Sequence, residues 1–315
     1  MSNKVFAVVA LAVALALAAV TQLIPNDYFF TAAYTVLLFV ILATAWNILG
    51  GYTGYVNFGS AAFFAIGAYT TVFFYNAFKA PLPVGIVAGT LVAGLAGLGL
   101  GYLTLRLRGV FFAIASLALA VVLYIFIVNW DYVGGARGAY VLQPREIPFG
   151  LPRYIHLIYA VQLVMAGFAL VVARAIEKST LGRGLAAIRD DELAAECSGV
   201  PTLKLKIFST MVSCALMGMA GTTFPYYLSY IEPSSAFSLS YAVNSIAMPL
   251  IGGMMSWMGP LIGAVLLGSV QQLVQVTVSS AWNLLIVGVL LVLFVTLAPN
   301  GIMGWVDAWR RRRGR

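Results

Sequence analysis

The charged residues of this chain are placed so that long stretches carry none. Seven intervals, 5–26, 28–78, 80–105, 109–130, 154–173, 207–231 and 233–306, contain no Lys, Arg, Asp or Glu. Each is long enough for the roughly 20 mainly apolar residues that one helical crossing of a bilayer takes. At that length they hold about ten helices, two in 28–78 and three in 233–306. Only 9% of the residues are charged, where a soluble domain has about 25%. Such a chain cannot cover a water-facing surface. A soluble enzyme, a nucleic-acid-binding domain and a disordered protein are excluded as the main reading. The expected fold is an all-α integral membrane protein of about ten transmembrane helices.

Orientation follows from the bias of Lys and Arg toward the cytoplasm. With the N-terminus inside and ten crossings, 14 of the 18 basic residues fall on the cytoplasmic side. Both termini are then cytoplasmic, and the basic tail Arg310–Arg315 reads as an anchor to anionic lipid, not a nucleic-acid site. The first apolar segment has Lys4 before it and a cleavage-like Ala16-Leu17-Ala18. Its apolar run is about 20 residues, longer than the 7–15 of a signal peptide. An uncleaved helix is therefore expected over residues 1–24.

Gly85, Gly89, Ala93, Gly97 and Gly101 recur at a spacing of four. That spacing puts small residues on one stripe, where another helix backbone can approach closely. Other glycines mark interruptions. Gly50, Gly51, Gly54 and Gly59 lie in the second apolar interval, and Pro249, Gly252, Gly253, Gly259 and Pro260 in the last. Broken or re-entrant segments are expected near 50–60 and 249–260, and broken helices in both halves of a chain often build transporter sites. Ordinary loops between crossings fit the same residues. Uncharged polar side chains gather at these places: Asn47, Tyr52, Thr53, Asn57 and Ser60 at the first, Asn244 and Ser245 at the second. Asn57, Ser60, Asn244 and Ser245 are the candidates for lining a solute path. Hydrogen bonds between helices would use the same groups.

The apolar part contains essentially no carboxylate, which argues against ion coupling. His156 is the only histidine, and Cys197 and Cys214 lack metal-ligand spacing, so no metal centre or paired acid and base is legible. Energy for transport would have to enter from outside the bilayer. Six basic and five acidic residues lie between Arg174 and Lys206. Ser179 and Thr180 are suited to cap a helix starting near Leu181. Leu185, Ile188 and Leu193 form a sparse apolar stripe, and Gly199 and Pro201 end the helix. A short amphipathic helix can plug a groove in a partner. A solvated connector has the same composition.

The stretch Gly182-Arg183-Gly184-Leu185-Ala186-Ala187-Ile188-Arg189-Asp190-Asp191-Glu192-Leu193-Ala194-Ala195-Glu196 resembles the coupling segment of ABC-importer permeases. More narrowly, it is similar to the M-type subunit of the branched-chain amino acid permease family. Four further stretches agree in order: Gly50 to Tyr69, Leu105 to Ile114, Glu232 to Ser238, and Gly252 to Ala264. The resemblance implies an ABC importer permease fold, a single permease domain over 1–315, a cytoplasmic coupling segment over 177–204 and an extracytoplasmic loop over 129–154. It assigns Arg183, Leu185, Ile188, Arg189, Asp190, Asp191, Glu192 and Glu196 to coupling. It implies a second permease subunit of the non-identical H-type, two cytoplasmic ATPase subunits, an extracytoplasmic solute-binding protein, and residence in a bacterial or archaeal cytoplasmic membrane. ATP and magnesium would sit on the ATPase subunits, since this chain has no Gly-x-x-x-x-Gly-Lys-Ser/Thr. It would bind no cofactor and catalyse no reaction itself. The loop aromatics Trp130, Tyr132, Tyr140 and Tyr154 suit a dock for the binding protein or an interfacial belt. The chain departs from the family at Asn57, Ser60, Val110 and Ala120-Val121-Val122. The solute therefore stays open among branched-chain and other amino acids, urea, amides and organic acids.

Overall fold

The protein is described by a computed structural model that covers residues 27–104, 109–142 and 153–277, with isolated positions between 285 and 304. The expected first crossing, the central part of loop 129–154 and the basic tail lie outside the described residues. Seven helices are long and apolar enough to cross a membrane. They include α1 (Asp27–Thr53), α2 (Ser60–Phe78), α3 (Leu82–Thr104), α4 (Val110–Val128) and α5 (Tyr154–Lys178). Two short helices follow, α6 (Thr180–Asp190) and α7 (Glu192–Cys197). The sixth long helix is α8 (Thr202–Gly221), extended after two residues by α9 (Phe224–Leu228). After α10 (Pro233–Ala236) comes α11 (Leu239–Gly252), and α12 (Met258–Thr277) is the seventh long helix. At 14 residues α11 spans only about 21 Å, too short to count as a full crossing. The expected ten are therefore not reached among the described residues.

α1 is the axis of the molecule. It packs against α5, α8, α11 and α12, and nearly every residue from Leu38 to Thr53 is buried. Residues apolar on all sides give it almost no one-sided character, as expected of a helix surrounded by others. α4 is its opposite. Only 17% of its most apolar 18-residue window is buried, and Phe111, Ile114, Val121 and Val122 face outward.

The small-residue stripe of α3 does what its spacing predicts. A side chain at Gly89 would meet Thr222 and the Gly67 backbone, and one at Gly97 would meet Cys214 and the Thr210 carbonyl. Ala93 lies against Gly218. The backbones of α2, α3 and α8 thus touch along one line, which is how helices gain packing in lipid without a hydrophobic drive between them.

All the charged structure between α5 and α8 lies at one end of the bundle, the charged face. The other end, the far face, carries the two-stranded antiparallel pairing of β1 (Ala139–Tyr140) with β2 (Tyr230–Ile231). Trp130, Tyr132, Phe73 and Phe126 make an aromatic group there, and Tyr140 lies against Tyr230. At the same end Arg153 pairs with Asp27 across the starts of α5 and α1. His156 is buried beside the Phe30 ring at 4.2 Å.

The glycine contacts make a testable contrast. Gly218→Val would force α8 away from α3, and overpacking of this kind costs about 1–3 kcal/mol. Gly167, on the outer side of α5, has nothing within 4 Å. Thermal unfolding in detergent is expected to show a clear drop for Gly218→Val and none for Gly167→Ala.

Candidate functional site

Both expected interruptions exist, but each is narrower than its glycines suggested. α1 runs through Gly50 and Gly51 to Thr53, and the chain leaves the helix at Gly54, where φ is +78°. It then returns alongside α1. The Trp46 indole donates to the Asn57 carbonyl at 2.9 Å, and Trp46 sits two turns before the end of α1. The return is therefore roughly 10 Å before α2 begins. Along it, Phe58 N–H donates to Ser116 Oγ at 3.0 Å and Gly59 N–H to Asn57 Oδ1 at 2.8 Å. Pro249 likewise stays inside α11, and the second break is residues 253–257. Gly253, at φ +113°, donates to the Pro249 carbonyl at 2.7 Å.

The two breaks meet at the charged face. A side chain at Gly51 would run into the Met254 carbonyl, and one at Gly54 would touch Arg189 on α6. Arg189 donates to Met255 Sδ at 2.8 Å, so this one residue spans from the first break to the second. Glu177, in the last turn of α5, accepts from the Trp257 N–H at 2.5 Å and from the Tyr52 hydroxyl at 3.3 Å. The Arg174 guanidinium lies over the Trp257 ring, 5.3 Å from its centre.

The charged segment itself is two helices, not the single one expected. Ser179 caps α6 by accepting from Gly182 N–H at 3.3 Å. Asp191 leaves helical geometry and caps α7, its Oδ1 accepting from Leu193 N–H at 2.9 Å and Ala194 N–H at 3.1 Å. Gly199, at φ +81°, follows α7. Residues 177–178 finish α5 and 202–204 begin α8, so the independent part of the expected 177–204 segment is 179–201. Leu185 and Ile188 are buried as their stripe requires. Leu193 is not part of that stripe, because the turn at Asp191 rotates α7 and leaves it 58% exposed.

The charges of the segment divide by what they touch. Glu192 Oε1 lies 2.7 Å from Lys206 Nζ, with side-chain exposures of 14% and 3%. The Tyr55 hydroxyl donates to Glu192 Oε2 at 2.5 Å and accepts from Lys206 at 3.2 Å. This ties α7 to the start of α8 and to the first break. Glu196 accepts from Thr202 Oγ1 at 2.7 Å. Asp191 is a cap, and Arg189 reaches both Asp190 and Met255. The outward surface includes Leu181, Arg183, Asp190, Asp191, Leu193 and the end of α7.

Of the four path candidates, Ser60 and Ser245 meet at 2.9 Å, and Ser60 also reaches the Asn57 carbonyl at 3.4 Å. Asn244 accepts from Gln271 Nε2 at 2.8 Å, which bridges α11 to α12. Asn57, Ser60 and Ser245 are buried completely. Asn244 reaches the wall of a polar cavity of about 410 Å³ at the far face. An apolar groove of about 490 Å³ runs between α4 and α11, lined by Leu117, Val121, Tyr124 and Phe237. Cys197 is exposed and Cys214 buried. Among the described residues no group of three His, Cys, Asp or Glu is placed to hold a metal ion.

Tyr55, Glu177, Lys206, Trp257 and Gln271 were not among the expected site residues. A lone buried cation is itself a signal, because lysine is almost never fully buried unless paired. Its register against Glu192, across a Gly-Val-Pro turn, was not readable from spacing.

A bundle of apolar helices with a charged two-helix face and two broken helices behind it is the build of a membrane permease. A profile of the family described as branched-chain amino acid transport system / permease component matches residues 28–295, and the chain belongs to that family. It is a family of ABC-transporter membrane permease subunits, which are not catalytic themselves; the ATPase lies on other subunits. The chain is similar to LivM, the high-affinity branched-chain amino acid transport system permease protein of Salmonella typhimurium. The two are 26% identical over 85% of this chain and 68% of the relative. It is also similar to the L-arabinose ABC transporter permease protein AraH of Azospirillum brasilense, at 25% identity over 67% of this chain and 62% of that one. The ribose import permease protein RbsC of Haemophilus influenzae is 30% identical over 44% of this chain and 45% of that protein. No solved structure matches.

Removing one partner of a buried pair leaves the other charge uncompensated, at a cost of about 3–5 kcal/mol. Lys206→Met and Glu192→Gln are each expected to lower the unfolding temperature in detergent strongly. The double substitution is expected to recover most of that loss. Equal, additive losses would mean that the two groups do not act as a pair.

Proposed function

We propose that this chain is the permease subunit through which ATPase motion opens and closes a path for a small polar solute. The observation that carries the reading is the seat of α6, between the first break at Gly54 and the second at Met255. In this reading the charged face is cytoplasmic, as are both termini, and two ATPase subunits grip α6 and α7. Closure of the ATPases on ATP pushes α6 against both breaks, and the inner ends of α1, α2, α11 and α12 move with it. Arg183, Asp190 and Leu193 are the contacts with the ATPase. Leu185, Ile188, Arg189, Asp191, Glu192 and Glu196 hold the segment's shape and its attachment.

The same reading supplies the remaining partners. A second permease subunit of the H-type completes the path, and a solute-binding protein docks on the far face around loop 129–154. The paired strands β1 and β2 hold that loop. In this reading residues 1–315 form one permease domain of ten passes, of which α11 crosses only part of the bilayer, and it binds no cofactor or metal of its own. Branched-chain or other amino acids are the first solutes to try, supported by the family description and by the LivM name. The arabinose and ribose permeases among the relatives make a pentose the second.

The test is a reconstituted complex with its ATPases. Leu193 is an exposed apolar side chain of the kind that anchors an interface, and losing such an anchor costs tenfold or more. Leu193→Asp and Asp190→Lys are each expected to lower solute-stimulated ATP hydrolysis and uptake about tenfold without shifting the unfolding temperature. Full uptake with no ATPase present would establish an ion-coupled transporter or channel instead.

A further inference from the structure

The polar cavity at the far face gathers uncharged hydrogen-bonding side chains that the coupling reading leaves without a role. It lies between α1, the turn before α11, and α12. Its position opposite the charged face is fixed by α1. Thr35 on the cavity wall is two turns from the start of that helix, and Thr53 at the other end reaches the first break. Tyr28, one residue into α1, donates to the Gln272 carbonyl at 3.2 Å, which places the end of α12 at the same level.

The wall has a definite chemistry. Ser238, Asn244 and Gln275 offer hydroxyl and amide groups, and Phe39 and Tyr241 offer ring faces. Glu232 is the one charged side chain among the described residues that line it, and no lysine or arginine does. Its volume of about 410 Å³ is at the small end of the roughly 300–1,000 Å³ range of ligand sites. Its floor is closed by the Gln271–Asn244 bond, and the Ser245–Ser60 bond lies one residue further along α11.

We infer that this cavity is an outer solute vestibule whose single carboxylate, Glu232, selects by charge: it accepts the ammonium group of a zwitterion or cation, passes neutral polyols and amides, and turns away net-anionic solutes. The inference rests on the permease reading and deepens it, removing organic acids from the open solutes. The physical basis is that low-dielectric walls focus the field of a charge at the mouth of a cleft. A monocation and a monoanion entering within about 6 Å of one carboxylate, even screened as in water, differ in occupancy by about tenfold. A dicarboxylate meets no cation among the described wall residues to offset that. The Asn244–Gln271 bond would then be the first contact exchanged for solute as the path opens.

The experiment reads the field of the cavity directly. In the assembled transporter, with Cys197→Ser to remove the exposed thiol, a thiol is introduced at the wall by Ser238→Cys. A second variant, Gln275→Cys, serves if loss of the Ser238 cap unfolds the first. Cationic and anionic methanethiosulfonate reagents are applied from the outer side, each rate normalised to its reaction with a free thiol. The cationic reagent is expected to react about tenfold faster at low salt, and Glu232→Gln is expected to abolish the difference. Succinate at millimolar concentration is expected to leave the rates unchanged. Equal rates in the parent, a preference for the anionic reagent, or protection by succinate would overturn the inference. Failure of the permease reading shows separately: ATP-dependent uptake would be absent while the charge preference at the cavity persisted.

Discussion

Backbone that leaves a helix inside a bilayer must find its hydrogen bonds within the protein, and this requirement governs where the chain can break. The first break is six residues of non-helical chain that turn back along α1. It is tolerated because the carbonyl of Asn57 takes the Trp46 indole, Phe58 N–H takes Ser116, and Gly59 N–H takes the Asn57 side chain. Those three bonds fix α2 against α1 and α4. The second break is stabilised in the same way by Gly253 on Pro249 and by Trp257 on Glu177. Both breaks therefore sit where polar partners exist, next to the charged face. The location of the site follows from the need to satisfy backbone.

The charges of this face are few, and those nearest the bundle are committed. A lone lysine at 3% exposure would be prohibitively costly. With Glu192 and the Tyr55 hydroxyl around it, Lys206 becomes the post to which α7, the first break and α8 are attached. Asp191 satisfies the two N–H groups that a helix start leaves open, and so makes the corner between α6 and α7. These bonds and caps give the segment stiffness. Arg183, Asp190 and Leu193 are among the side chains that stay exposed on the segment.

Much of this was legible in the residues. Charge-free intervals give α3 and α4 almost at their true ends, because expelling charge is the strongest demand the bilayer makes, but they leave the boundaries of α1, α2 and α12 inside the longer intervals unmarked. The spacing of four in Gly85, Gly89, Ala93 and Gly97 gives the close-packed stripe of α3, though not that its neighbours are α2 and α8. Three things were hidden. The corner at Asp191 was not visible, since the run from Arg183 to Glu196 has helix-forming residues throughout and only the cap geometry splits it. The role of Glu177 depends on Trp257, 80 residues away, and no local pattern encodes that. The hydrogen-bond partners of the four path candidates were not legible. Ser60 with Ser245 and Asn244 with Gln271 are choices made by tertiary register.

The short length of α11 joins the two ends of the molecule. Fourteen residues cannot span a bilayer alone, but α11 is welded to α12 where Gly252 meets the Gly259 carbonyl and Gly263 meets that of Met248. With backbone against backbone, neither helix can slide without the other. A displacement applied at Met255 through Arg189 would have no side-chain layer there in which to dissipate. It would travel up the pair to the Asn244–Gln271 bond, one turn of α11 above Met248. The glycines that look like flexibility in the sequence act here as rigidity, because they remove the soft layer between two helices packed backbone to backbone.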